Sequence, residues 1–221
     1  MKRMSENMLS GSSLLLGLGL FLLGYVFGSL PNGLWLVKAF YKIDIRDYGS
    51  KNIGSTNVFR TVGAKPAACV LILDILKGVI PLMLADKLLS GSSQYLHYFV
   101  VITALGALLG HNYSLFLHFK GGKGVATGLG LFAYLQPMAA LVGFVVWAII
   151  VFLTRYVSLG SIIGAVCAAS MGFIWGYPLP YAIFGTIAAA FVILKHKENI
   201  GRLLNGTESK IKAGHKPSSP K

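Results

Sequence analysis

Charged side chains are scarce in this sequence, and acids scarcest of all: 12% of its 221 residues are charged, with seven Asp and Glu against twenty Lys and Arg. So little charge, beside 55% apolar residues and a mean hydropathy of +0.68, excludes an ordinary water-soluble domain and indicates an all-α polytopic membrane protein. Cysteine is nearly absent. Cys69 and Cys167 each lie within an apolar run without Cys-x-x-Cys or metal-ligand spacing, which leaves them as packing residues. His97, His111, His118, His196 and His215 form no His-x-x-x-His pair, so neither a metal nor another cofactor is expected. No Gly-x-Ser-x-Gly elbow is present to carry a serine nucleophile. No basic arm with interleaved aromatics accompanies the formal charge of +13, which argues for anionic lipid and anionic substrates as partners and against nucleic acid.

Along the chain, residues 1 to 12 are polar, and the apolar run after them lacks a small-residue cleavage site, so it reads as a first span and not a removed signal peptide. That run reaches Phe40, longer than the roughly 20 residues a spanning helix needs, and Pro31 is its expected kink. A polar segment, Tyr41 to Lys65, precedes a second span from about Pro66 to Leu84. Within that span Asp74 and Lys77 lie one helical turn apart near mid-bilayer, a spacing suited to mutual neutralisation. Beyond the loop from Asp86 to Gln94, a third span runs from Tyr95 to about Leu109, and a short fourth from Val125 to Gln136. A fifth (Met138 to Leu153), a sixth (Ile162 to Trp175, after a tight polar turn from Thr154 to Ser161) and a seventh (Tyr181 to Leu194) complete the reading. About seven spans put sixteen of the twenty Lys and Arg on one side, with Lys2, Arg3 and Lys87 on the other and Lys77 within a span. The positive-inside rule then predicts an outside N-terminus and a cytoplasmic C-terminus. The chain reads as one domain, 1–221, with a flexible tail at 213–221.

Three polar groups share the cytoplasmic side. Gly54-Ser55-Thr56-Asn57 with Arg60 offers hydroxyls, an amide and a guanidinium in a glycine-broken loop, suited to phosphate oxygens and polyol hydroxyls; an ordinary capped helix start would look similar. Phe119-Lys120-Gly121-Gly122-Lys123-Gly124 opens a helix with what a phosphate needs: close backbone approach, free N–H groups, a positive dipole end and a mobile ammonium. It is no Walker A loop, because the glycine-to-lysine spacing differs and no strand precedes it. In the third group, His196, Asn199 and Arg202 recur every three residues across one helix face, followed by Gly206 and Glu208; a solvated basic helix end has the same look. Three such groups on one side of a chain this poor in charge favour a shared site.

Ser50 to Arg60, then Gly110-His111-Asn112 through Thr127, then His196 to Glu208 resemble the three motifs of the acyl-phosphate-dependent glycerol-3-phosphate acyltransferases, the PlsY family. Gly28-Ser29-Leu30-Pro31 and Asp74-Ile75-Leu76-Lys77-Gly78 extend the resemblance over nearly the whole chain. It implies an enzyme of the bacterial inner membrane that joins a fatty acyl phosphate to glycerol 3-phosphate, giving lysophosphatidic acid and phosphate, with no cofactor and no obligate protein partner. By the same resemblance Lys123 and the backbone at Gly121, Gly122 and Gly124 hold the donor phosphate, assisted by Ser55, Thr56 and Asn57. Ser50, Arg60, Ser161, His196 and Asn199 hold glycerol 3-phosphate, while Arg202 and Glu208 order the third motif. Lys123, His196 and Arg60 are the catalytic candidates, and the general base stays unassigned between His196 and a donor phosphate oxygen. No His-x-x-x-x-Asp occurs, which argues against the CoA- or carrier-protein-dependent type. A transporter for a phosphorylated anion is the rival class. Against it, the chain has no duplicated half, and its polar groups gather on one face where a midplane site would be expected. A basic membrane scaffold is a third reading, which Lys123→Ala would separate from an enzyme.

Overall fold

The computed structural model describes residues 11–89 and 96–211, all helices and turns. Most of the polar N-terminus, the end of the loop before the third span and the expected flexible tail lie outside the described residues. The helices are α1 (Gly11–Ser29), α2 (Asn32–Tyr41), α3 (Ser55–Thr61), α4 (Ala64–Leu88), α5 (Leu96–Asn112), α6 (Val125–Leu135), α7 (Pro137–Thr154), α8 (Val157–Ile174), α9 (Leu179–Lys195) and α10 (Lys197–Leu204), with single 3₁₀ turns at Ile45–Asp47 and Leu115–Leu117. Five spans among the described residues are long and apolar enough to cross a membrane, α1 and α2 together forming one of 31 residues; there are six if α9 and α10, which meet at 59°, count as one. The protein is an all-α polytopic membrane protein. At 11 residues, α6 rises only about 16 Å, roughly half the hydrocarbon thickness.

Pro31 breaks the first long span as expected: it lacks an N–H, and its ring disturbs the preceding turn. At the break the Leu30 carbonyl accepts from the Asn32 amide at 3.0 Å and from Lys77 Nζ at 2.7 Å. Lys77 also pairs with Asp74 at 3.0 Å, and Asn32 Nδ2 donates to Asp74 Oδ1 at 3.0 Å. With both charged side chains almost wholly buried, the pair knits α4 to the α1–α2 break, and Asp74 also lines the cavity described below.

α1 lies along α5, α4 along α6, and α8 along both α7 and α9. Because lipid tails are as apolar as leucine, close backbone approach has to hold such pairs together, and small residues permit it. Gly24 and Gly28 meet Gly106 and Gly110 four residues apart on each helix. A Cβ at Gly24 would fall 2.1 Å from the Thr103 carbonyl oxygen, and one at Gly106 2.2 Å from that of Phe21. Gly106→Leu is therefore expected to force the helices apart at a cost on the order of 3 kcal/mol or more. Gly19→Leu, whose Cβ meets nothing within 4 Å, should melt like the parent in the same detergent.

The main core gathers Leu82, Val100, Leu108, Leu131 and Phe184 around the short α6. A second apolar cluster, including Val37, Ile45, Val58 and Val70, lies beneath the first polar segment and anchors it. Two helix boundaries differ from the expected ones. α8 begins at Val157, so the tight turn expected over Thr154–Ser161 shrinks to Arg155 and Tyr156. Arg155 ends α7 in the left-handed region, at φ 63°. Ser158 and Ser161 enter the helix because their hydroxyls have acceptors, Glu208 Oε1 at 2.7 Å and the Val157 carbonyl at 2.9 Å. α4 is also longer than expected and takes in Asp86, whose carboxylate accepts from Tyr134 Oη at 2.9 Å.

Candidate active site

The first polar segment is held from within by Asn57. Its Nδ2 donates to the carbonyls of Ile45, Tyr48 and Asn52 at 2.8–3.1 Å, and its Oδ1 accepts from the Ser50 amide at 2.8 Å. Gly54 is then the N-cap of α3, its amide donating to Asn52 Oδ1 at 2.9 Å, which leaves Ser55 and Thr56 in the first turn of α3 and Arg60 one turn later. Arg60 Nη2 donates to the Ser209 carbonyl at 2.9 Å, joining the first motif to the third.

The glycine loop wraps the end of α5. The Gly122 amide donates to the His111 carbonyl at 3.0 Å, and Gly122 lies against the His111 ring, where a Cβ would come 2.3 Å from Nε2. Gly124, at φ 79°, adopts the left-handed conformation that turns the chain into α6. The amides of Gly121, Lys123 and Gly124 meet no acceptor among the described residues, so free N–H groups gather at the N-terminus of α6.

The third motif is organised by a buried carboxylate. Glu208 Oε1 accepts from Ser158 Oγ and Asn199 Nδ2, and Oε2 from Arg202 Nε, each at 2.7 Å. Burial alone would raise its pKa, but the three donors outweigh burial and hold it below the usual value. Asn199 Oδ1 in turn accepts from Lys123 Nζ, so a single chain of bonds joins the glycine loop to the third motif. Lys123 is held below the ordinary lysine value by burial and then by the charge of Arg202. His196, one residue past the end of α9, sits against the Val192 carbonyl, with Nδ1 at 2.7 Å from the oxygen. A carbonyl can only accept, so Nδ1 carries the proton and Nε2 keeps its lone pair. Burial brings the pKa of His196 down to about 4, so the ring is neutral at pH 7.

These groups line one end of a cavity of about 380 Å³. Ser50, Ser55, Thr56, Arg60, Lys123, Gly124, Ser161, His196 and Asn199 all reach it; beyond them the lining turns apolar, through Leu129 and Phe132 to Phe144 and Trp147. Leu71 and Phe144, 40% and 46% exposed on the outer helix faces, also line the cavity, so its apolar part opens toward lipid. Around the polar end, Arg60, Lys123 and Arg202 face two acids, Glu208 and, acting on Lys123 at longer range, Glu198. The surplus positive charge, the free loop amides and the hydroxyls suit an anionic head, and the apolar length suits a chain.

The glycerol-3-phosphate acyltransferase family model matches residues 18–206. This chain belongs to that family. A glycerol-3-phosphate acyltransferase of Fusobacterium nucleatum is 45% identical over 190 residues, covering 86% of this chain and 95% of the relative. One from Anaeromyxobacter dehalogenans is 44% identical over 200 residues, covering 89% and 98%. Among solved structures, the glycerol 3-phosphate form of PlsY, an integral membrane glycerol 3-phosphate acyltransferase, superposes with a TM-score of 0.77 at 39% identity, over 91% of this chain and 96% of that one. Its lysophosphatidic acid form gives 0.79, also at 39% identity, over 89% and 95%.

For this acyltransferase, the expected site residues divide by position. Asn57, expected to assist at the phosphate, lines the cavity and also shapes the first motif, its side-chain oxygen and nitrogen bonded to backbone. Gly121, Gly122 and Arg202 do not line the cavity: the two glycines pack against His111 and Asn112, and Arg202 holds Glu208. Glu208 itself reaches the cavity wall while serving its three donors. Ser158 and Asn52, which sequence reasoning missed, also line the cavity. Ser158 occupied an expected turn, and Asn52 had only its place in the first motif to mark it. Asn112, buried behind the glycine loop, has neither side-chain oxygen nor nitrogen paired among the described residues.

Proposed function

We propose that this enzyme transfers a fatty acyl group from an acyl phosphate to sn-glycerol 3-phosphate, forming 1-acyl-sn-glycerol 3-phosphate (lysophosphatidic acid) and inorganic phosphate, as a first step of phospholipid synthesis. The observation that carries this reading is the single cavity whose cationic, hydroxyl-lined end continues into an apolar length open to lipid. Both substrates carry phosphate, and one carries a chain. The primary hydroxyl oxygen of glycerol 3-phosphate attacks the acyl carbonyl carbon, the carbon–oxygen bond to phosphate breaks, and phosphate leaves with its electron pair. No covalent acyl-enzyme is needed, because the leaving group is already activated. The protein's tasks are then to offset converging negative charge and to bring hydroxyl and carbonyl together. Lys123 and the loop amides attend the donor phosphate, with Ser55 and Thr56 beside them; Ser50, Arg60, Ser161, His196 and Asn199 attend the acceptor.

The hydroxyl proton has two acceptors in reach of this chemistry. A histidine with a pKa of about 4 is a weak base, whereas a phosphate monoester takes its second proton near pH 6, so the departing phosphate is the better acceptor. His196→Ala is expected to raise KM for glycerol 3-phosphate while kcat falls less than about tenfold. A kcat loss on the order of 10³-fold in a folded variant would make His196 the base.

The proposed setting is the bacterial cytoplasmic membrane, with chain 1–221 acting as one domain of seven spans, the short α6 included, the N-terminus outside and the site facing the cytoplasm. The Lys and Arg count supports that orientation. The deciding assay is phosphate release by the purified protein given palmitoyl phosphate, with and without glycerol 3-phosphate. Acceptor-dependent release with formation of lysophosphatidic acid is expected. An active protein that uses acyl-CoA and leaves palmitoyl phosphate untouched would overturn the donor assignment.

A further inference from the structure

A second cavity, of about 400 Å³, lies on the other side of the same two loops, between the first polar segment and the turn that leads into the glycine loop. Arg46, Lys51, His118 and Lys120 line it. Arg46 is already satisfied: Nη2 meets Asp44 Oδ2 at 2.6 Å and Nε meets Oδ1 at 2.9 Å, and these bonds bring the Asp44 carboxyl down to about 2. Asp47, exposed beside them, adds only a longer-range attraction to Arg46. Lys51 and Lys120 have no acidic partner among the described residues, so two ammonium groups face this cavity without compensation.

The surroundings say what sort of anion would reach them. Leu115, Phe116 and Phe119, in and next to the 3₁₀ turn on the cavity's flank, are 49%, 44% and 60% exposed. Phe116 packs on Trp35 with ring centroids 5.5 Å apart. Apolar and aromatic side chains beside lysines are the pattern of a membrane–water boundary, where ammonium groups sit at the depth of lipid phosphates. Lys51, His118 and Phe119 also hold left-handed backbone, at φ 57°, 50° and 61°, a conformation costly for residues other than glycine.

We propose that this cavity binds a phosphate group at the membrane surface, that of an anionic lipid headgroup, through Lys51 and Lys120. It is distinct from the catalytic cavity, to which it is joined along the Asn52 wall, since Asn52 lines both, and the inference does not depend on which acyl donor the enzyme uses.

The test is native mass spectrometry of the full-length protein in a neutral detergent, titrated with dioleoyl phosphatidate or dioleoyl phosphatidylcholine. Beyond any phosphatidate seated in the catalytic cavity, which Lys123→Ala identifies, one further phosphatidate should bind at least tenfold more tightly than phosphatidylcholine, and the comparisons below concern this further one. Lys51→Ala/Lys120→Ala should weaken that binding at least tenfold, Lys51→Arg/Lys120→Arg should keep it, and Lys123→Ala, altered in the other cavity, should bind like the parent. In a parallel arm, inorganic phosphate at millimolar concentration should displace the lipid only weakly. Displacement at micromolar phosphate would transfer the site from a headgroup to free phosphate and overturn the lipid assignment. Parent-like binding by the double alanine variant, an equal loss in a Lys42→Ala/Lys65→Ala control, or loss on Lys123→Ala would overturn the proposal itself.

Discussion

Lys123→Ala is expected to lower kcat/KM for acyl transfer by about 10²–10³-fold while leaving a folded protein. The fold should survive because the Lys123 ammonium has one hydrogen-bonded partner, Asn199, which stays tied to Glu208 through Nδ2. Activity should collapse because this ammonium stands beside the free amides of the glycine loop, where, on the proposed mechanism, a leaving phosphate would gain charge as its bond to carbon breaks. Lys123→Arg should recover little, since a planar guanidinium does not replace a compact ammonium on a short, packed loop. Steady-state rates at varied donor and acceptor, with melting curves for each variant, check this. A folded Lys123→Ala protein keeping more than a tenth of parental kcat/KM would remove the loop from the proposed chemistry.

The second large effect is on stability. Glu208→Ala takes one acceptor group away from Ser158, Asn199 and Arg202 together. Ser158 Oγ and Asn199 Nδ2 are buried and lose their acceptor outright, whereas the Arg202 side chain is 40% exposed and water can take over part of its bonding. The expected loss is about 3 kcal/mol, near the lower end for breaking a buried charged pair. Activity should fall as well, because Asn199 would lose the contact that sets its face toward Lys123. Glu208→Gln keeps one carbonyl acceptor and the shape, so it should lie between parent and alanine variant. The pH dependence has a definite sign. Since the folded pKa lies below the ordinary value of 4.5, the contribution of Glu208 is complete above that value and is lost as pH falls through the folded one. Glu208→Ala should therefore lack that part of the parent's acid sensitivity. Melting temperatures of both proteins between pH 3 and pH 7 would show it, and parallel curves would contradict the assigned role.

Hydropathy found the helices because a spanning segment has to be apolar along its length, whatever it packs against. It could not find the ends that take part in tertiary contacts: α8 extends back through Ser158, whose hydroxyl donates to Glu208, fifty residues away. The motifs were legible as residue types, since phosphate chemistry calls for Lys, Arg, hydroxyls and glycine. Their division of labour was not. Asn57 looks like Asn199 in sequence, yet one is consumed by four backbone groups and the other faces a lysine, a difference made by how the chain closes on itself. Likewise the spacing of Asp74 and Lys77 announced their pairing, whereas the Leu30 carbonyl they serve becomes visible only once Pro31 has broken its helix.

The opening at Leu71 and Phe144 also decides in what units this enzyme meets its fatty substrate. A chain that enters sideways from the bilayer is counted by its mole fraction among lipids, not by moles per litre of suspension. Dilution with inert phospholipid at constant bulk donor should then slow the reaction, while the apparent affinity for the water-soluble acceptor stays put. A product released by the same route would not have to carry its chain through water, a passage costing about 0.8 kcal/mol for each methylene.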